Sequence, residues 1–160
     1  MESVGFDNQE MLGTVEGKIR AVVRSLGPGI EYQFCNWAQA NVALDGVTMP
    51  TIVYVLPPSG TLLFKRNHVK DRPNTQIAFV CSTEFDFEGT ENDGIIEAMK
   101  RLAIRFVKAY NESGLFEQID GEVQYQVLYD HLDQNVTGVM LTLTIIEEEG
   151  ISICADEVRK

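Results

Sequence analysis

The sequence predicts a single α+β domain over residues 1–160, with two amphipathic helices packed on a mostly antiparallel sheet of about five or six strands. Two observations predict this fold class. Two segments repeat apolar residues at helical spacing, and the rest of the chain is a series of short β-branched and aromatic runs separated by turn-forming residues. The order is helix, several strands, helix, two strands. That order indicates helices covering one face of a sheet.

The first amphipathic segment covers residues 8–26. Asp7 or Asn8 is expected to cap its N-terminus, and Gly27-Pro28-Gly29 is expected to end it. One helix is therefore predicted here, packed by an apolar stripe. The stripe consists of Met11, Leu12, Val15, Ile19, Val22, Val23 and Leu26.

Four strand-like runs follow the first helix. They cover residues 30–37, 51–56, 61–69 and 76–83, with turn-formers at residues 44–46, 57–60 and 71–74 between them. The connections are too short for crossover helices, which predicts antiparallel pairing throughout this region. The PPSG sequence of residues 57–60 is predicted to be a hairpin tip.

The second amphipathic segment, residues 95–111, precedes two more strand-like runs at residues 122–130 and 136–146. Side chains of a strand alternate between its faces, so the last run is predicted to be a long strand that needs cover on both sides. The glutamates at residues 147–149 are expected to solvate its end and to protect an exposed edge. One face carries Val139, Leu141, Leu143 and Ile145, and the other carries Met140, Thr142, Thr144 and Ile146.

Charge and composition limit the classes of function. Lys and Arg number 13 against 24 Asp and Glu, a formal net charge of −11. Because affinity for nucleic acid comes mainly from cations that replace phosphate counterions, specific nucleic-acid binding is not expected, although an acidic surface suits a protein that DNA slides past. The N-terminus does not resemble a signal peptide, and no segment has the length of a membrane span. We therefore expect a cytoplasmic protein without membrane association.

One group of residues in the sequence suggests a metal site. The sequence lacks the signals of phosphate loops, dinucleotide sites, zinc proteases, hydrolase elbows and calcium loops. Asp130, His131 and Asp133 are close enough to converge on a divalent ion, as in a small metal-dependent hydrolase, but polar residues are also what a turn between strands requires. Cys35, Cys81 and Cys154 are predicted to be reduced, buried thiols. The expectation is a protein that is not an enzyme and has no cofactor.

Several stretches together resemble small proteins from phage and prophage structural-gene clusters. They are Leu44-Asp45-Gly46 with Pro50 ahead of TIVYVL, IAFVCSTEFDFEG, MKRLAIRFVKAYNESGLF and VQYQVLYDHLDQNVTGVMLTLTI. The combination is similar to the tail and neck assembly proteins, above all to tail-terminator and tail-completion proteins. The resemblance implies a virion subunit, assembled in the cytoplasm, that forms a homo-oligomeric ring at the end of the tail tube. Its implied partners are tail-tube and head-tail connector proteins, and DNA passes through the ring.

A ring requires one surface of a protomer to meet a different surface of the next. The predicted contacts are the hairpin tip, the loop with two phenylalanines and the long C-terminal strand. The two phenylalanines have a second interpretation as core residues, and a binding module for another protein remains an alternative to the ring. The predicted interface residues are Pro57, Pro58, Phe85, Phe87, Met140, Thr142 and Thr144.

Overall fold

A computed structural model describes residues 14–57, 59–82, 90–131 and 136–152 of the chain. It confirms the α+β class: helices pack on a mixed sheet in which, over these residues, all strand pairings but one are antiparallel. The helices are α1 (Val15–Ser25), α2 (Trp37–Ala43) and α3 (Thr90–Glu112). The strands are β1 (Glu31–Cys35), β2 (Thr51–Val55), β3 (Gly60–Lys65), β4 (His68–Ser82), β5 (Gln124–His131), β6 (Val136–Thr144) and β7 (Ile151–Ser152).

Helix α1 begins later than predicted. Thr14 is its N-cap, with an extended backbone and a side chain that accepts a hydrogen bond from the backbone N–H of Gly17. The extended conformation of Thr14 prevents a single helix from running through from residue 8, although the predicted stripe is buried from Val15 to Val23. The predicted caps Asp7 and Asn8 lie outside the described residues.

A third helix makes the prediction of antiparallel pairing wrong at β1 and β2. These two strands pair in parallel, with Glu31 opposite Thr51, and α2 is the crossover between them. Asn36 and Gln39 form a capping box that starts α2 immediately after β1. A helix of seven residues is enough for this crossover.

The long strand β4 organises the sheet. Its second half lies between β2 and β6, in the order β1-β2-β4-β6-β5, while its first half pairs with β3 and β7. Strands β2 and β3 therefore lie one after the other along β4. The predicted hairpin tip at residues 57–60 is wrong for this reason, and so is the predicted turn at residues 71–74, which is part of β4. The tip is instead Arg66-Asn67, between the paired residues Lys65 and His68.

The two faces of the sheet carry separate cores. Helices α1 and α3 cover one face, where Phe79 meets Phe106 edge to face and Tyr110 stacks on Phe116 with ring centroids 4.6 Å apart. Helix α2 covers the other face, where the sequence had predicted no helix. This smaller core contains Cys35, Ala40, Leu44, Val53, Val55, Ala78, Val80, Leu128, Val136 and Met140.

Candidate functional site

The predicted interface residues lie in different environments. Met140 is buried in the core under α2, whereas Thr142 and Thr144, further along the same face of β6, are exposed. Pro57 is half-buried after β2. The remaining three, Pro58, Phe85 and Phe87, lie outside the described residues.

The metal hypothesis falls at the edge of the described chain. Asp130 and His131 end β5, where the pairing with β6 becomes irregular, and Asp133 lies outside the described residues. Elsewhere in the described chain, no group of three His, Cys, Asp or Glu side chains could hold a metal ion. The hypothesis stays a prediction, and calorimetric titration with magnesium, manganese and zinc tests it.

Two of the three cysteines are described, and both are free thiols. Cys35 is buried and Cys81 is half-buried, and burial raises the pKa of both above its usual value. A raised pKa keeps a thiol protonated and weakens it as a nucleophile. The prediction of a buried thiol is confirmed for Cys35, and Cys154 lies outside the described residues.

Glu147 is buried rather than solvated, which corrects the expectation for the end of the last strand. It continues the inward alternation of Leu143 and Ile145, and its side chain is 2% exposed. Its Oε1 atom lies 3.2 Å from Nζ of Lys18 on α1, whereas its Oε2 has no hydrogen-bond partner among the described residues. This ion pair connects α1 to the chain after β6. Glu148 and Glu149 are exposed, as predicted.

An apolar trough of about 580 Å³ lies between α3 and strand β5. Helix α3 contacts the sheet over β6, so its far side stands above β5 without covering it. Ile104 on the trough wall is 68% exposed, and Val139 and Leu141 of β6 form part of the apolar lining. The lining residues are Lys100, Ala103, Ile104, Val107, Lys108, Asn111, Glu112, Val123, Tyr125, Val139 and Leu141.

Strand β5 extends this apolar surface to the edge of the sheet. Tyr125, Val127 and Tyr129 are all exposed. Tyr125 and Val127 lie opposite Leu141 and Val139 of β6, so they share the face that carries α3. The Nζ atom of Lys100 lies 4.9 Å from the ring centroid of Tyr125. A row of exposed apolar side chains on an edge strand is typical of an interaction surface.

A second apolar surface lies on the arm, defined as β3, the tip Arg66-Asn67 and residues 68–73 of β4. Leu62 and Phe64 are 61% and 68% exposed and lie on one face of β3, together with Val69 opposite Phe64. On the other face, Lys65 and Lys70 line a groove with Glu148. Gly60 at the base of the arm is close-packed, because a Cβ atom there would lie 3.0 Å from Cα of Pro73.

The sequence pattern held a signal for the β5 surface that the sequence analysis did not use. In QYQVLYDH, aromatic and aliphatic residues alternate with glutamines, which indicates one apolar and one polar face. The alternation does not reveal that α3 lies over β6 and leaves the apolar face of β5 uncovered. The exposure of this face of β5 therefore depends on tertiary packing.

Comparisons with known proteins give no relative from which a function could be transferred: no protein-family model, no curated protein and no solved structure matches the chain. Within the described ranges, none of the helices is both long and apolar enough to cross a membrane.

Proposed function

We propose that the protein is a non-enzymatic structural subunit that assembles with copies of itself into a ring of the tail-terminator or tail-completion kind, at the junction of a phage tail and head. The observation that carries the proposal is the exposed apolar surface formed by the trough and by Tyr125, Val127 and Tyr129 on β5. Burying such a surface against another protomer is favourable by about 25 cal/mol per Å² of apolar area.

The separation of two apolar surfaces supports a ring over a symmetric dimer. The trough lies beside β5 at one edge of the sheet, and the arm lies on the other side of β4. Contacts between two different surfaces leave one of each free on every new subunit, so that assembly continues until rotation closes it. The net charge of −11 is compatible with a channel that repels DNA rather than gripping it.

Light scattering after size exclusion, at micromolar concentration, tests self-assembly. We expect a mass of several protomers, alone or after addition of tail-tube protein. Ile104→Asp should lower this mass because it places a carboxylate in the trough. Val42→Asp is a matched control, since Val42 is 76% exposed on α2 at the opposite face of the sheet.

Two outcomes would count against the proposal. A persistent monomer, both alone and with tail-tube protein, would remove the ring. Equal effects of the Ile104 and Val42 substitutions would show that assembly does not use the trough.

A further inference from the structure

Strands β3 and β5 both have an open edge. Within the described chain, β3 pairs with β4 and β5 pairs with β6, and neither has a second neighbour. Natural edge strands are usually protected by lysine, proline or a bulge, and the irregularity in β5 is confined to its end, between Leu128 and His131. The first seven residues of β5, QYQVLYD, contain no Lys, Arg or Pro, and β3 has a lysine at its last position alone. Both edges are therefore able to accept another strand.

The two edges cannot meet within one chain. Strand β3 lies on the β2 side of β4, whereas β5 lies beyond β6 on the other side. Their open edges face in opposite directions across the sheet. A β3 strand that reaches a β5 edge therefore comes from a second copy.

The dimensions of the arm and the trough match. Helix α3 lines the trough from Lys100 to Glu112, a length of about 18 Å at the rise of an α-helix. Strand β3 has six residues, which extend over about 20 Å. Leu62 and Phe64 repeat with the same two-residue spacing as Tyr125 and Val127, so both pairs would lie on one face of a joined sheet.

Charge selects the orientation. The arm, residues 60–73, holds four Lys or Arg residues against one Asp, in a chain with a net charge of −11. Glu112 lines the end of the trough where β5 begins, and the exposed Asp120 and Glu122 lie just before that strand. An antiparallel alignment brings the exposed tip residue Arg66 to this acidic end. The arm's cations are Lys65, Arg66, Lys70 and Arg72.

The acidic end of the trough distinguishes it from the groove beside β1. That groove is lined by Arg20 and Arg24 and by no acidic side chain. The trough is also lined by cations, Lys100 and Lys108, but Glu112 lines its end and the exposed acids at residues 120 and 122 lie just before β5. The basic tip of the arm is therefore better matched to this end of the trough than to the groove beside β1.

We propose that β3 of one copy adds to β5 of the next as an antiparallel strand, with Phe64 opposite Tyr125 and Leu62 opposite Val127. This inference rests on the proposed function, because it assumes that the protein assembles with itself. Main-chain hydrogen bonds along the two edges supply affinity, and the apolar side chains fill the trough. Each added subunit presents a free β3 and a free β5, as a ring requires.

Cross-linking between copies tests the pairing. Phe64→Cys and Tyr125→Cys variants are prepared separately, with the natural cysteines replaced by alanine, then mixed and oxidised. We expect a disulfide-linked dimer that contains one of each variant, and far less of it when Phe34→Cys, on the β1 edge, replaces Tyr125→Cys. Peptide mass spectrometry identifies the linked positions.

Charge reversal tests the orientation independently. Arg66→Glu should weaken self-association at least tenfold in low salt, and Glu122→Arg in the same chain should restore most of it. Light scattering against protein concentration measures both changes. Because the substituted side chains are exposed, both variants are expected to fold, which circular dichroism checks.

The outcomes separate this inference from the proposed function. If the protein assembles but shows no 64–125 link and is insensitive to charge at position 66, the strand pairing is overturned while the ring stands. If position 125 instead links to position 125 of another copy or to added tail-tube protein, the trough has another occupant and the pairing is overturned. A monomer under all conditions overturns the proposed function itself.

Discussion

Replacing Lys18 by methionine is expected to lower the free energy of unfolding by about 3 to 5 kcal/mol, because it leaves a buried carboxylate without its cation. Glu147 is 2% exposed and its Oε1 lies 3.2 Å from the lysine Nζ, so water cannot replace the lost charge at low cost. Methionine keeps most of the apolar stem of lysine, which restricts the change to the charge.

Urea denaturation followed by circular dichroism measures the loss. For a chain of this size, 1 kcal/mol corresponds to about 2 to 4 °C in Tm, so a parallel thermal scan should show a fall of about 6 to 20 °C. The matched control is Lys70→Met. Its partner Glu117 is 49% exposed and remains solvated, and the expected loss is below about 1 kcal/mol.

A double variant separates lost charge from lost packing. Lys18→Met combined with Glu147→Met replaces the ion pair by two apolar side chains, and it should recover most or all of the stability. If Lys18→Met unfolds at the same urea concentration as Lys70→Met, Glu147 does not depend on Lys18. If the double variant is less stable than Lys18→Met alone, the loss comes from packing. Either result refutes the reasoning.

Two further predictions concern the sheet and its tyrosines. Gly138→Ala should destabilise the protein by several kcal/mol, because the added Cβ would collide with the backbone oxygen of Phe79. Gly94→Ala in α3 has open space around the added Cβ and should stabilise the protein by up to about 1 kcal/mol. Urea denaturation midpoints compare the two variants, and equal midpoints would contradict the predicted collision at Gly138. Burial raises the pKa of Tyr110 above 10.0, as it does for Tyr32 and Tyr54. The unfolded chain therefore releases these protons at a lower pH than the folded chain does. The free energy of unfolding should keep its full contribution from the tyrosines below about pH 10 and fall above it. Tyr110→Phe should make that fall shallower by up to about 1.4 kcal/mol per pH unit in urea titrations at pH 9 to 11, and an unchanged slope would contradict it.

Much of the fold could be predicted because its signals are local and periodic. The stripe of α1, the long apolar face of α3 and the two largely apolar faces of β6 each extend over several turns or residues, and burial follows them. Helix α2 is too short to show such a repeat: it has seven residues, of which Ala40 alone is buried. Its capping box, Asn36 with Gln39, was the available signal.

The errors in the sheet have a different cause. Proline and glycine at residues 57–60 correctly indicate a break in the strand, but a break does not say which strands pair. Strands β2 and β3 could have paired with each other, and instead both pair with β4. Non-local pairing of this kind depends on register and on the competition for a third strand, which no short window of sequence contains.

The exposed apolar surfaces on β3 and β5 were not predicted, again because they depend on tertiary packing. Leu62 and Phe64 were assigned to a strand without an interface role, and the structure shows both side chains exposed. Tyr125 and Val127 were assigned to a strand without a surface. Their exposure arises because α3 lies over β6, a tertiary fact that the strand's own sequence does not carry.

The position of β4 has a consequence for the growing chain. Strand β4 ends at Ser82 and its neighbour β6 begins at Val136, so at about 5 to 20 residues per second the ribosome takes about 3 to 11 s to make the chain between them. During those seconds the apolar run Ile77, Ala78, Phe79 and Val80 has one edge without its eventual partner. During synthesis, the central strand β4 therefore has an unpaired apolar edge that could pair with a wrong strand. Slower translation would lengthen the time for which this edge is unpaired.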